Sequence, residues 1–226
     1  MKLLRPISLI RNNNLPLAQS MKIVKSAIAI LVAMYPSISS AGEVGDVIYG
    51  GKFANSNCAW CHGPSMQGSW IAPRLAGQKP LYIETQLRDL KYHTRDNPPS
   101  KLYMWGAAAN HLSLQTVRDL AVYVAILHAK PANDGSAALA SSGQTLYREG
   151  FPAANIPACV ACHGPNAEGS GSIPRLGGLS YYYLKRRLEQ WGEGYHASAA
   201  FPMPQVASKL PADEIEALAS YLSFVN

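Results

Sequence analysis

Cysteine and histidine are scarce in this chain of 226 residues, which contains four cysteines and six histidines. Four cysteines are too few for a small scaffold held together by many disulfides. Charged residues are also sparse at 15%, while hydrophobic residues reach 48%, a balance that excludes a mainly disordered chain. An alternating polar and apolar pattern, which would predict strands, is missing as well. The composition therefore predicts one large or two small globular domains.

Acidic residues are absent from the first 41 positions, which hold five basic residues, Lys2, Arg5, Arg11, Lys22 and Lys25. A nine-residue, mostly apolar run follows over 27–35, and small residues lead up to Ala41. This pattern predicts a signal peptide over 1–41, cleaved after Ala41, and an exported, periplasmic protein. An uncleaved anchor is the alternative, but a spanning helix needs about 20 apolar residues. Met21 precedes the run and is a second candidate for the start of translation.

Once the leader is set aside, 15 basic and 14 acidic residues remain, a net charge of +1. That balance removes overall basic character as an argument for a nucleic-acid partner. The remaining charge is uneven, because residues 42–130 carry nine basic and six acidic side chains, whereas residues 131–226 carry six and eight. The halves therefore differ in sign, +3 against −2, and we expect partners to dock in a salt-sensitive way.

Two motifs of the form Cys-x-x-Cys-His indicate an internal repeat. The motif residues are Cys58, Cys61 and His62, and then, 101 residues later, Cys159, Cys162 and His163. Three further landmarks recur in the same order. They are the Pro-Arg-Leu loops at 73–77 and 174–178, the Leu-Ala-x-Tyr segments at 119–123 and 217–221, and the upstream pairs Ile48–Tyr49 and Leu146–Tyr147. The chain is therefore predicted to contain two copies of one unit.

A stretch rich in Ala, Ser, Gly and Pro, residues 131–142, separates the copies and is interpreted as a linker. The predicted domains are residues 42–130 and 143–226. Each is small for a core of its own, so a large apolar cofactor would help to explain its folding. Apolar residues recur at helical spacing in four segments, beginning near residues 81, 117, 183 and 212. The predicted fold class is all-α, with two tandem domains of the same kind.

The Cys-x-x-Cys-His motif is compatible with a redox dithiol, half of a zinc site or a covalent haem site. A thioredoxin-like dithiol needs a βαβ context, and a zinc site needs four ligands where each half offers three. In a c-type haem site, two thiols bond to the haem and the adjacent histidine ligates the iron. We therefore expect two covalent haem c groups, with zinc or disulfide chemistry as the remaining alternative. The expected attachment residues are Cys58, Cys61, Cys159 and Cys162, and the expected iron ligands are His62 and His163.

A sixth iron ligand is expected from methionine, because a thioether raises the potential of a histidine-ligated carrier. Met203 lies 40 residues after its motif histidine, and Met104 lies 42 residues after its own. Counted from later landmarks, Met203 aligns with Trp105, so ligation by Met104 requires a one-residue insertion. Met66, four residues after the first motif histidine, is too close to reach the opposite face and is predicted to be a core residue. The histidines that are candidates to replace a methionine as the sixth iron ligand are His93, His111, His128 and His196.

Groups around the ligands are predicted from the repeated spacing. The carbonyls of Pro73 and Pro174 are expected to accept a hydrogen bond from the ligand histidines. Arg74 and Arg175 are expected to pair with haem propionates, or else to be solvated loop residues. Four tyrosines are predicted to pack where the first and last helices of each half cross, namely Tyr49, Tyr123, Tyr147 and Tyr221.

Two Cys-x-x-Cys-His-Gly motifs, two Pro-x-Leu-x-Gly loops and a late methionine before a Leu-Ala-x-Tyr helix resemble class I cytochrome c domains in tandem. Over nearly the whole mature chain, this order resembles the dihaem cytochrome c4 family. That family often has Asn where Arg74 and Arg175 stand. The resemblance implies a dipolar periplasmic carrier that passes electrons to a terminal oxidase.

The leading hypothesis is a non-enzymatic electron carrier with two six-coordinate haems, and no catalytic residue is predicted. Expected partners are a cytochrome oxidase or a bc1-type complex, with a soluble copper protein or a dehydrogenase as further candidates and with peripheral association with a membrane. Two alternatives stay open. One is an electron-accepting subunit of a periplasmic dehydrogenase, and the other is a dihaem enzyme such as a thiosulfate dehydrogenase or a peroxidase.

Overall fold

The computed structural model describes residues 44–69, 72–109, 112–196 and 200–226, and their regular structure is helical. The helices, numbered in chain order, are α1 (Val47–Asn57), α2 (Ala59–His62), α3 (Pro80–Lys91), α4 (Trp105–Ala109), α5 (Leu114–Ile126), α6 (Ala137–Glu149), α7 (Val160–His163), α8 (Tyr181–Gly192), α9 (Met203–Ala207) and α10 (Ala212–Phe224). Between them lie two 3₁₀ turns, Pro64–Met66 and Pro152–Ala154, and a π turn, Ser100–Met104. Extended pairing in these residues is limited to two isolated bridges. The predicted all-α class is confirmed.

The four helices predicted from apolar spacing are present as α3, α5, α8 and α10. Ser113 caps α5, because its hydroxyl oxygen accepts a hydrogen bond from the amide of Thr116 at 3.0 Å. Asp213 and Glu214 lie in the first turn of α10, where negative charge is favourable to the helix dipole. Among the described helices, none has the length and apolar character needed to cross a bilayer. The signal peptide predicted over 1–41 lies outside the described residues.

Buried apolar residues form two clusters, one in each half. The first extends from Ala54 to Val124 and lies where α5 packs against α1 and α3. The second extends from Leu146 to Leu222 and lies where α10 packs against α6 and α8. One three-helix arrangement is thus built twice, as the internal repeat predicts. The domain limits 42–130 and 143–226 stay a prediction.

In each half, the first helix crosses the last one at a glycine. A Cβ on Gly50 would lie 2.1 Å from the carbonyl oxygen of Asp119, and a Cβ on Gly143 would lie 2.0 Å from that of Ala217. No side-chain carbon is tolerated that close to backbone, so the crossings depend on glycine. Asp119 and Ala217 hold the same position in the repeated last helices.

This crossing corrects the pairing of the first helices between the repeats. The pairs Ile48–Tyr49 and Leu146–Tyr147 are 98 residues apart, whereas the crossing glycines, Gly50 and Gly143, are 93 apart. The exposed fractions support the alignment by the glycines, since Ile48 is 71% exposed whereas Leu146 is only 4% exposed. The predicted pairing is wrong because the segment 150–158, which precedes the second motif, has no counterpart of that length after α1.

The tyrosine predictions are confirmed in the second half and only partly in the first. Tyr147 is fully buried, and its ring centroid lies 5.7 Å from that of Tyr221. Tyr123 is half-buried beside the crossing on α5. Tyr49 is 48% exposed, so its prediction as a packing residue is wrong. The shifted register of α1 turns that side chain away from the crossing.

The predicted linker is also corrected, because α6 begins at Ala137 and includes the last six residues of 131–142. Alanine is the strongest helix former, and Gly143 leaves a gap in the apolar stripe where a larger side chain would be expected. The irregular part of the connection is hydrogen-bonded to the second half. The amides of Ala132 and Asn133 donate to the carbonyls of Gly178 and Ser223, each at 3.1 Å.

Replacing Gly143 with alanine is expected to destabilise the folded protein, because the new Cβ would collide with the carbonyl of Ala217. Overpacking of this kind costs about 1–3 kcal/mol. Gly192→Ala is the matched control, since a Cβ there meets its nearest atom at 3.9 Å. Denaturant unfolding compares the two variants, and equal midpoints would contradict a crossing that depends on glycine.

Candidate functional site

Each Cys-x-x-Cys-His motif forms a single helical turn. The carbonyl of Cys58 accepts hydrogen bonds from the amides of Cys61 at 3.2 Å and His62 at 3.0 Å. The corresponding distances in the second motif are 3.2 and 2.9 Å. Each of the four cysteines lies in the described residues, and none of them forms a disulfide. Two thiols and one imidazole are therefore presented by one short helix in each half, α2 or α7.

The first cysteine of each motif has apolar surroundings. Burial, with a smaller contribution from Cys61, raises the pKa of Cys58 to about 11, and burial likewise raises the pKa of Cys159 to about 11. Both thiols pack against the apolar cluster of their own half. Such surroundings suit the apolar edge of a haem better than a thiolate ligand of zinc. Within the described part of the chain, no group of three or more His, Cys, Asp or Glu side chains is arranged to hold a metal ion.

The motif histidines are buried and hydrogen-bonded as haem ligands need to be. His62 is 6% exposed and His163 is 5% exposed. Nδ1 of His62 lies 2.8 Å from the carbonyl oxygen of Pro73, and Nδ1 of His163 lies 3.0 Å from that of Pro174, which confirms the expected partners. Because a carbonyl only accepts, the proton lies on Nδ1 and Nε2 keeps its lone pair. Burial is the largest cause that lowers the pKa of both imidazoles and so keeps them neutral.

A tight loop returns the chain from each histidine to its proline. Gly63 and Gly164 follow the histidines with φ angles of 76° and 82°, a region that favours glycine. Further along, the carbonyl of Met66 accepts two loop amides at 2.9 and 3.0 Å, and that of Ala167 accepts two at 2.8 and 3.0 Å. Met66 is fully buried in the first cluster, so its prediction as a core residue is confirmed.

Both candidate methionines lie against the core of their own half. Met104 ends the π turn and packs on the first cluster, while Met203 begins α9 and packs on the second. The first cysteine of each motif packs on the same cluster as the methionine. A π turn closes i→i+5 hydrogen bonds and so holds an extra residue. The π turn precedes Trp105, whereas the one-position displacement of Met104 relative to Met203 is counted from Leu112 and Leu210, so the additional residue lies after Met104.

The substitute histidine ligands have other surroundings. His93 is exposed and stacks on a tryptophan, with ring centroids 4.1 Å apart. His128 is exposed as well. His196 is buried, and its imidazole lies between an arginine of its own half and an aspartate of the first half. His111 lies outside the described residues. Ligation of the first haem by Met104 stays a prediction.

Arg74 makes contacts that the sequence did not predict. Its side chain is 5% exposed, so the alternative of a solvated loop residue is wrong. Its two terminal nitrogens donate to the carbonyls of Lys130, Gly177 and Gly178. Arg175 instead donates from Nε to the carbonyl of Gly177 in its own loop, at 3.2 Å. A propionate partner for either arginine stays a prediction.

Buried donors without acceptors favour a bound anionic group. In the described residues, Nε of Arg74, Nη1 of Arg187 and Nε1 of Trp191 are buried and make no hydrogen bond. Arg187 and Trp191 lie one turn apart on α8, with the guanidinium 4.4 Å from the ring centroid. An unpaired buried donor costs about 1–3 kcal/mol, so such groups normally have partners. Haem propionates are carboxylates that would supply the missing acceptors, and the residues present therefore fit a haem.

Comparison with known proteins assigns the family. A family model described as cytochrome c matches residues 140–225. Cytochrome c4 of Thiocapsa roseopersicina is 38% identical over 194 residues, which cover 81% of this chain and 95% of the relative. The chain belongs to the dihaem cytochrome c4 family.

Two further similarities support this c4 cytochrome assignment. The crystal structure of reduced recombinant cytochrome c4 from Pseudomonas stutzeri matches with a TM-score of 0.73 and 32% identity, covering 81% of this chain and 100% of that chain. A thiosulfate dehydrogenase electron acceptor from Stutzerimonas stutzeri (strain A1501) is 34% identical, covering 91% of this chain and 97% of the relative. The c4 cytochrome therefore carries two covalently bound haem c groups and transports electrons. The zinc and disulfide alternatives for the motifs are set aside.

Sequence reasoning missed the polar contacts between the two halves of this cytochrome. Gln78 exchanges two hydrogen bonds with the backbone of Arg175, at 3.0 and 2.7 Å. Asp96 accepts a hydrogen bond from the backbone amide of His196 at 2.7 Å. A contact between copies is not repeated within either copy, so no internal pattern reveals it. The one available signal was the arginine at position 74, where the family often has asparagine.

Trp191→Phe is expected to destabilise the haem-loaded cytochrome by about 1–3 kcal/mol, because it removes a buried donor that we expect to pair with a propionate. Trp60→Phe is the matched control, since that indole is 96% exposed and surface changes alter stability by about 0.5 kcal/mol or less. Thermal unfolding followed by circular dichroism compares them. Equal stability of the two variants would show that the Trp191 indole has no acceptor in the loaded protein.

Proposed function

We propose that this cytochrome is a periplasmic electron carrier in which each half holds one haem with histidine and methionine as axial ligands. One observation carries the proposal. Each half gathers the same three kinds of group around its core, namely a half-buried thiol, a buried neutral imidazole and a half-buried thioether. Since the two motifs are equivalent in sequence and geometry, the same chemistry is assigned to both.

In this proposal every motif residue has a defined role. The four cysteines would form thioether bonds to the two haems, and Nε2 of each motif histidine and the sulfur of each methionine would ligate the iron. The first set is Cys58, Cys61, His62 and Met104, and the second is Cys159, Cys162, His163 and Met203. The haem supplies reversible one-electron chemistry when bound. With a histidine and a methionine as the proposed ligands of each iron, no position would remain for a substrate, so we assign no enzymatic activity to the protein.

The partners of this cytochrome are redox proteins, and we assign a terminal oxidase as the electron acceptor and a bc1-type complex as a donor. The opposite net charges of the halves, +3 and −2, support separate docking ends for partners of opposite charge. Export rests on the basic and apolar pattern of residues 1–41. Complementary charge accelerates encounter more than it strengthens the complex, which suits a carrier that must dissociate after each transfer.

Replacing either proposed methionine ligand with alanine is expected to remove about half of the methionine-to-iron charge-transfer band and to make one haem high-spin. The variants are Met104→Ala and Met203→Ala. Met66→Leu is the control, because it exchanges a buried methionine of the first core for a side chain of similar volume and keeps the full band. Optical spectra of the oxidised protein at known haem stoichiometry measure the effect. A full band in Met104→Ala would assign another ligand to the first haem.

A second candidate function is the acceptance of electrons from a thiosulfate-oxidising dehydrogenase. It is favoured by one observation, the match over 91% of this chain to a relative described as a thiosulfate dehydrogenase electron acceptor. In this function the dehydrogenase contains the active site, and this chain receives the electrons one at a time.

The two functions are separated by rapid kinetics with purified partners. We expect the reduced cytochrome to be reoxidised by a cytochrome oxidase at a rate that falls as salt is added. Thiosulfate alone is expected to leave the oxidised cytochrome unreduced. Reduction that requires both thiosulfate and a thiosulfate dehydrogenase would support the second candidate. Steady turnover with thiosulfate alone would instead make this protein an enzyme.

A further inference from the structure

Arg74 belongs to the first half but directs its side chain into the second. Nη1 donates to the carbonyl oxygens of Lys130 at 2.5 Å and Gly178 at 2.8 Å, and Nη2 donates to that of Gly177 at 2.5 Å. The approach is close, because a Cβ on Gly178 would lie 2.6 Å from Nη1, and φ there is +71°. Glycine at 178 is therefore needed both for the backbone angle and for the guanidinium.

Two of the three carbonyls that Arg74 contacts, those of Gly177 and Gly178, belong to the loop that supports the second proposed haem ligand. His163 donates to the carbonyl of Pro174 at 3.0 Å, three residues before Gly177. The amide of Gly177 is held in turn by the carbonyl of Ala167 at 3.0 Å. The loop is thus fixed on both sides of the arginine contact, and the guanidinium charge is held beside it.

In the residues that the structure describes, the partners of the two terminal nitrogens of Arg74 are backbone carbonyls, so no Asp or Glu side chain neutralises its charge. Its Nε remains the donor assigned above to a haem propionate. Burial, followed by the nearby cation of Arg175, lowers the pKa of Arg74 to about 10, which leaves it protonated at neutral pH. A buried cation acts strongly at short range, because the protein interior screens charge poorly. Oxidation of an iron adds a positive charge, so such a cation disfavours oxidation nearby.

The equivalent residue of the second loop does not return this contact. The side chain of Arg175 donates to Gly177 within its own half, and only its backbone meets the first half, at Gln78. The guanidinium of Arg74 therefore reaches from the first Pro-Arg-Leu loop into the second half. Among the described residues, no guanidinium reaches from the second Pro-Arg-Leu loop into the first half. The difference is a break in the symmetry of the repeat at the place where both ligand loops meet.

We propose that Arg74, supplied by the first half, is a positioning residue that raises the reduction potential of the haem in the second half. The inference rests on the proposed binding of that haem by His163. Its consequence is that the potential of one haem is set in part by the other copy of the repeat. A change at Arg74 therefore alters the distribution of electrons between two haems whose own ligands are unchanged.

The test is a redox titration of the haem-loaded protein by NMR, in which the haem methyl resonances of each half are followed separately. Arg74→Gln removes the charge and keeps an amide donor, while Arg74→Lys keeps the charge. At a fixed ambient potential, we expect Arg74→Gln to raise the oxidised-to-reduced ratio of the second haem by about three- to tenfold, with a smaller change at the first. Arg74→Lys is expected to retain most of the original ratio.

Arg148→Gln is the matched control, because it removes the same charge from an exposed side chain of the second half, where solvent screens it. An unchanged second haem in Arg74→Gln would overturn the inference. So would equal shifts of both haems, or a shift in Arg74→Lys as large as in Arg74→Gln, since each would indicate loosened packing rather than charge.

Gln78→Glu keeps the experiment decisive if Arg74→Gln fails to fold. The side chain of Gln78 lies against the backbone of Arg175, so a carboxylate there keeps the acceptor for the Arg175 amide, loses the donor to the Arg175 carbonyl and, at a pH where it is ionised, adds negative charge to the same loop. It is expected to raise the oxidised fraction of the second haem, and no change would overturn the inference. The methionine charge-transfer band, recorded on the same samples, distinguishes the two failures: a wild-type protein without the second methionine signal refutes the proposed ligation, whereas an intact band without the shift refutes only the role of Arg74.

Discussion

The hydrogen bond between each motif histidine and a proline carbonyl eleven residues later is the contact on which the rest of the structure depends. It places the imidazole proton on Nδ1 and leaves the Nε2 lone pair for a metal. It also closes a loop whose turn requires glycine after the histidine, at Gly63 and Gly164. Burial is the largest cause that lowers the pKa of both imidazoles, and it therefore favours the neutral form that can bind a metal. One continuous segment in each half thus supplies the turn with the two cysteines, the histidine, and the proline carbonyl that orients it.

The same loops join the two halves. Arg74 follows Pro73 directly, and its side chain leaves the first site to bind carbonyls beside the second. Gln78, four residues later, is hydrogen-bonded to the backbone that follows Pro174. The carbonyls that orient the histidines and the groups that hold the copies together are therefore neighbours in sequence and in space. Arg74 and Gln78 lie in the same short loop as Pro73, so the contacts between the halves and the support of the first histidine share one segment.

Features that depend on residues close in sequence, or on the repeat, are readable from the sequence. The motif turns, the proline carbonyls and the burial of Met66 belong to this class, as do the four long helices. The remaining features depend on what a side chain meets in space. Glycine at 143 is required because a side chain would collide with the last helix, but in the sequence a glycine there looks like part of a linker. The start of α6 was therefore not predicted, and the register of α1, whose crossing residue is also a glycine, was predicted wrongly. The π turn before Met104 gives no compositional signal, since it follows from an extra residue accommodated in a helix.

Two copies of one domain with identical ligands would have similar haem potentials if only the ligands mattered. Differences must therefore come from groups outside the ligand sets, and the structure offers several: the π turn before Met104, the methionine at 66 where the second half has Ala167, and the crossing side chain of Arg74. Packing differences act through contact and fade within one shell of atoms, whereas a charge acts over several ångströms in a poorly screening interior. Among these differences, the buried guanidinium is the one whose range reaches across the boundary between the copies. The asymmetry of a duplicated carrier is thus best sought in the charged residues where the copies meet.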